Sequence, residues 1–240
     1  MLIFWSGTSF EKEGFLEDDN GMFIPRNALL EALESAVVFY YIKKDKALEN
    51  LVKKYLMTKP KLKEISKEVK KRVFEKYPVL DGIEIPEKIY LDKDKISNEL
   101  VKVFDLEKKE FTGSFRMDVF KGVLEDVKVK SNNMEKIKNA CKAYARALAE
   151  YEHKALKDTE FEDLITEIQN NIANEWEIPV RVGYWTNTPY KGDLLFFWRV
   201  KEVRDYLLKH LHIDIRPKDV LYLPRTNEFL GLGEIKEEND

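Results

Sequence analysis

The chain has 240 residues, 44% hydrophobic and 12% aromatic, so it carries enough apolar material for a core and is not a disordered segment. Charged residues reach 35% but nearly cancel, 41 lysines and arginines against 44 aspartates and glutamates. The formal net charge of −3 excludes a protein that coats nucleic acid with its whole surface.

Leu2–Trp5 is apolar for too few residues to span a membrane and has no basic region before it, which predicts a buried first strand rather than a signal peptide. Asn20-Gly21 marks a tight turn, and Met22–Ile24 a second short strand. Pro25 suits the first turn of a helix in which Leu29, Leu30, Leu33, Val37, Tyr40 and Tyr41 recur at three- and four-residue spacing. After Pro60 a second helix carries Leu62, Ile65, Val69, Val73 and Phe74 on one face and lysines on the other, ending before Pro78. Val79–Pro86 reads as an edge strand or an irregular connection, and Ile96–Phe104 as a short helix.

From Phe115 to Val129, apolar and polar residues alternate around Gly122, which predicts a pair of strands. Asn133 precedes a long helix through Ile137, Cys141, Tyr144, Leu148 and Leu156. With a following helix over Phe161–Ile172 it makes a helical hairpin. Pro179–Trp185 is a strand, Thr186–Asp193 a turn-rich loop and Leu194–Leu211 a helix. Asp219–Leu223 and Glu228–Ile235 are closing strands around Pro224-Arg225-Thr226-Asn227. This order gives an α+β protein, and the strand spacing suits one or two ferredoxin-like units.

The single cysteine, Cys141, supports neither an internal disulfide nor a thiolate zinc site and points to a reducing, cytoplasmic setting; on an apolar helix face it reads as a small core residue. Glu150 and His153 share the i, i+3 spacing of di-iron ligands but lack a companion motif, so a surface role is expected. His210 and His212 lie where they would end a helix. Phosphate-binding, dinucleotide and nucleophile-elbow motifs are absent, and no cofactor is expected.

Two patterns carry chemistry. Between Lys53 and Lys76 stand ten basic and three acidic residues, a local balance of +7 that suits phosphate, although a solvated helix face has the same composition. Arg181, Tyr184, Trp185, Tyr190, Lys191 and Arg225 combine cations with stacking rings in two turn regions, as single-stranded RNA contacts require; half-buried aromatics at a core edge are the competing reading. Asp118, Glu125 and Asp126 form an acidic group suited to a divalent ion or to acid–base work, though turns carry such carboxylates routinely.

Three stretches together resemble the RAMP superfamily, the RNA-binding proteins of CRISPR effector complexes. Phe23-Ile24-Pro25-Arg26-Asn27-Ala28-Leu29-Leu30-Glu31-Ala32-Leu33 keeps the hydrophobic frame of that family's strand-to-helix segment at Ile24, Pro25, Leu29, Ala32 and Leu33, and departs from its small and basic residues at Arg26, Asn27, Leu30, Glu31 and Glu34. Phe120–Val127 is similar to a strand in the subunit that caps type III-A (Csm) complexes, with Asp126 in place of its aspartate. Arg181-Val182-Gly183-Tyr184-Trp185-Thr186 through Lys191 resembles a loop of that subunit, and Leu223-Pro224-Arg225-Thr226 with Leu230–Ile235 its closing segment.

The resemblance implies a ferredoxin-like (RRM-like) RAMP architecture with large helical insertions, spanning 1–240 as a single unit or as two halves of about 1–130 and 131–240. It implies a non-catalytic subunit in antiviral defense that contacts guide RNA near its 3′ end and neighbouring subunits, with no membrane association. The RNA contacts would be Arg181, Tyr184, Trp185, Lys191 and Arg225, supported by Lys63, Lys67, Lys70 and Lys71, with cations and rings converging beside the first strand-to-helix corner. Two alternatives stay open: a metal-dependent ribonuclease built on Asp118, Glu125 and Asp126, and a helical interaction module with a basic face.

Overall fold

The structure is a computed structural model that describes residues 1–8, 14–58, 61–124, 127, 129–183 and 192–236. Within them the chain runs β1 (Leu2–Thr8), β2 (Leu16–Asp18), β3 (Gly21–Pro25), α1 (Arg26–Lys44), α2 (Lys46–Thr58), α3 (Leu62–Lys76), β4 (Lys88–Tyr90), β5 (Ile96–Asp105) and β6 (Glu110–Leu124). It continues with α4 (Met134–Leu156), α5 (Glu162–Asn174), β7 (Ile178–Arg181), α6 (Gly192–Arg199), α7 (Lys201–His210), β8 (Asp219–Leu223), β9 (Glu228–Phe229) and β10 (Leu232–Lys236). The α+β class follows directly. No helix among the described residues is long and apolar enough to cross a membrane.

One sheet has the order β7-β10-β1-β6-β5-β8-β9, with every pair antiparallel, and β2-β3-β4 form a smaller one. Strands from both sides of residue 130 therefore pair in one sheet. The larger sheet curls: β9 pairs with β8 while β10, which follows it closely in the chain, pairs with β1. The link between them is fixed by Gly231 N–H to Ser6 O at 2.8 Å and Leu230 N–H to Leu221 O at 2.9 Å. Inside the curl, Val101, Val119, Leu221, Leu223 and Leu230 form a small apolar cluster.

On the other face Ile3 and Trp5 of β1 meet the main core, to which α1, α2, α3, the first half of α4, α6 and α7 contribute. Helix α1 is held there by a broad apolar stripe, with Leu29, Leu33, Val37, Phe39 and Ile42 all buried. Pro25 opens it without a side-chain cap. The second half of α4 joins α5 in a further cluster with Phe104, Phe161, Val220 and Phe229, so the predicted helical hairpin is present.

Three local expectations are corrected. Ile96–Phe104 is a strand, not a helix, because its long ladder with β6 satisfies the backbone and sets Val101 and Val103 on the face opposite Asn98 and Leu100. Phe115–Val129 is not a strand pair turning at Gly122. It contains the end of β6, where Gly122 lies opposite Trp5, and the true turn is at 105–109, where Asp105 Oδ1 accepts the N–H groups of Glu107 and Lys108 at 2.8 Å. Leu194–Leu211 is two helices, broken at Val200, whose backbone is extended. Val79–Pro86 is irregular, with one isolated bridge between Glu84 and Lys130.

Candidate nucleic-acid interface

Of the two turn regions that combine cations with rings, the segment that leads into the first and the one that follows the second meet at the end of β1. β7 pairs with β10, Val182 N–H continues to Gly231 O at 2.8 Å, and Gly231 N–H reaches Ser6 O. The Trp5 indole donates to Val182 O at 3.1 Å, so one side chain from the first strand pins the last third of the chain. Gly183 adopts φ 142°, a backbone conformation that side chains with a Cβ rarely take, so glycine serves the turn of the chain there.

Arg181 turns inward. Its guanidinium grips Glu152 of α4 with two parallel bonds of 2.5 and 2.8 Å, and the side chains are only 12% and 1% exposed. An unpaired carboxylate at that depth would carry a large desolvation penalty, so Arg181 is the counter-ion of the scaffold. Arg225 points out, with 60% of its side chain exposed and Nη2 2.8 Å from Glu99 Oε1. That carboxylate also accepts the Ser97 hydroxyl at 2.6 Å, which leaves the guanidinium oriented and accessible. Tyr184, Trp185, Tyr190 and Lys191 lie outside the described residues.

The strand-to-helix corner is held by other partners. Arg26 N–H donates to Glu87 O and its guanidinium to Glu87 Oε1, both at 3.0 Å, so the corner is tied to the segment before β4.

Helix α3 neutralises much of its own charge. Lys70 is bound to Glu34 of α1, Lys71 faces Glu75 at 3.8 Å, and Arg72 bridges Glu68 and Glu75. Lys63 and Lys67, one turn apart and exposed, have no ion-pair partner among the described residues. Lys76 belongs to a structural knot at Asp45, whose Oδ2 is 2.6 Å from Lys76 Nζ and accepts the Tyr77 hydroxyl at 2.8 Å. Asp45 Oδ1 caps α2 through the N–H groups of Ala47 and Leu48. Lys76, then the Tyr77 hydroxyl and the backbone N–H groups, hold this carboxyl well below the usual range, at about 2.

Of the acidic group, Asp118 alone falls among the described residues. Asp118 accepts a hydrogen bond from Asn98 at 3.0 Å, while Glu125 and Asp126 lie outside the described residues. No group of three His, Cys, Asp or Glu side chains able to hold a metal occurs among the described residues. Glu150 is engaged by Arg199 at 3.0 Å rather than by His153. Cys141 is buried as expected, and desolvation pushes its thiol up to about 12.

One residue escaped the sequence: Phe4, read as part of a buried strand, is 38% exposed on the face opposite Trp5. Strand alternation was the available signal, since Ile3 and Trp5 inward put Phe4 outward.

No protein-family model matches the chain. An uncharacterized protein of Aquifex aeolicus (strain VF5) is 38% identical over 240 residues, which cover 99% of this chain and 99% of that one. With that identity across both chains, the protein belongs to the same family as the Aquifex protein.

Proposed function

We propose that this protein is a non-catalytic RNA-binding subunit of a type III CRISPR ribonucleoprotein, acting in the cytoplasm and contacting guide RNA near its 3′ end and neighbouring subunits. The observation that carries the reading is the chain path. β1, α1, β5, β6, α4 and β10 occur in that order along the sequence, and their strands lie in the order β10-β1-β6-β5 with both helices sharing one core. That is the connectivity of a ferredoxin-like βαββαβ unit, and it supports the RAMP architecture that the sequence motifs imply. Helices α2, α3, α5, α6 and α7 and strands β2–β4 and β7–β9 are then additions around that unit.

On this reading Lys63 and Lys67 supply accessible cations, Arg225 an exposed one that Glu99 orients, Tyr184, Trp185 and Lys191 act from the loop after Gly183, and Lys70 and Lys71, like Arg225, already face carboxylates. Arg181 positions that loop from within the scaffold. Affinity comes chiefly from phosphate neutralisation, so it falls with salt. The test is affinity purification of the tagged protein from its native cells. Co-recovery of short guide RNAs and further subunits is expected, whereas a well-folded monomer free of RNA would count against the reading.

A further inference from the structure

We infer that the face of β1 turned away from Trp5 is a base-stacking platform for single-stranded RNA, centred on Phe4. This rests on the RNA-binding reading above and adds a contact surface that none of the motifs identifies. β1 is an interior strand, paired with β10 on one side and β6 on the other. Phe4 lies directly opposite Glu234 and Val123, and the register puts Lys236 and Lys121 on its face at diagonal positions to either side. Lys236 Nζ is 5.7 Å from the ring centroid. The large hydrophobic side chains exposed among the described residues are Phe4, Tyr90 and Leu100. Leu100 has no π-face, and the Tyr90 hydroxyl is engaged by Asn20 and Asp18 beside its hairpin.

The charge on this face suits a polyanion. Of the described carboxylates on it, Glu234 is buried and accepts the Glu177 N–H at 2.7 Å, and Glu228 accepts the Ser6 hydroxyl and pairs with Lys121, each at 2.7 Å. What meets solvent is an aromatic ring with the Lys236 ammonium over it, together with Lys121, which is 44% exposed although paired with Glu228. A nucleobase stacks on such a ring irrespective of sequence while adjacent phosphates meet the lysines, and only an unpaired strand frees its bases to do so.

The experiment uses the full chain with a short oligouridylate carrying 5-iodouridine. Photocrosslinking is expected to mark the peptide containing Phe4. Phe4→Ala should weaken binding about tenfold, Phe4→Leu should weaken it similarly while preserving apolar contact, and Phe4→Trp should restore it. Thermal melting verifies that each variant folds, and the crosslink on the unmodified protein stands even where one does not. Wild-type binding that is unchanged in Phe4→Leu, with crosslinks only elsewhere, overturns the platform and leaves RNA binding intact. A wild-type protein that binds no oligouridylate at all overturns both.

Discussion

Arg181 and Glu152 form a two-pronged ion pair between β7 and α4, the carboxylate 1% exposed. Removing one partner leaves the other buried and uncompensated, which costs about 3–5 kcal/mol. Arg181→Ala and Glu152→Ala are each expected to lower the denaturation midpoint sharply. The double replacement Arg181→Met with Glu152→Met should recover most of the loss, because an apolar pair of similar volume removes both desolvation penalties. Equal destabilisation by single and double variants in urea titrations would contradict this role.

Trp5 links the first strand to the last third of the chain, and two glycines make room for it. A Cβ at Gly7 would lie 2.3 Å from the indole ring, and one at Gly233 would lie 2.8 Å from the Phe4 carbonyl and 3.2 Å from the indole. The ring also stacks on Phe120 at 5.8 Å. Gly7→Ala therefore forces the indole out of place and is expected to cost about 1–3 kcal/mol or more. Trp5→Phe should cost about 1–3 kcal/mol by leaving the Val182 carbonyl unpaired in the interior. Circular dichroism melts measure both, and a neutral Gly7→Ala would show that the ring is not confined.

Asp45 ends α1, caps α2 and ties both to the end of α3. Its folded-state pKa of about 2 lies below the ordinary value of 3.8. A depressed carboxyl contributes stability that is complete above the unfolded pKa and is lost as pH falls through the folded one. Wild-type stability should therefore decline between about pH 4 and pH 2 more steeply than that of Asp45→Asn, which keeps an N-cap acceptor without the charge. Parallel slopes for the two proteins across that window would refute the assignment. At neutral pH, Asp45→Ala should cost about 1 kcal/mol through removal of the cap.

Lys63 and Lys67 differ from Lys70 and Lys71 in having no ion-pair partner among the described residues, so the pairs should separate in a binding assay. Lys63→Ala with Lys67→Ala should weaken RNA binding and reduce the slope of log affinity against log salt by about 0.7 for each phosphate no longer neutralised. Lys70→Ala should instead act mainly on stability, since Glu34 on α1 is then left without its partner. An unchanged slope in the first double variant would remove α3 from the interface.

Most of the architecture is legible in the residues because burial leaves periodic marks. The stripe on α1, the α4–α5 hairpin and the closing strands can all be read from three- or two-residue spacing. β5 cannot, because Ile96–Phe104 mixes charge with apolar residues, and its strand character comes from a long-range ladder with β6. The same limit applies to the site. Arg181 and Arg225 look alike in sequence, both beside turns, yet one faces a buried glutamate 29 residues away and the other faces solvent. A tertiary partner decides which arginine is scaffold. The lysine-rich helix is similar: composition gives the excess of charge, while only the packing of α3 against α1 reveals that Lys70 is held by Glu34.

On the proposed reading the protein holds single-stranded RNA through a few accessible cations and rings, and equilibrium binding of a labelled guide-length RNA across a salt series tests this most directly. Expected are saturable binding at low salt, a linear fall of log affinity with log salt whose slope is about 0.7 for each neutralised phosphate, and weaker binding to a duplex of the same sequence. Absence of saturable binding at low salt by the folded protein would contradict the claim.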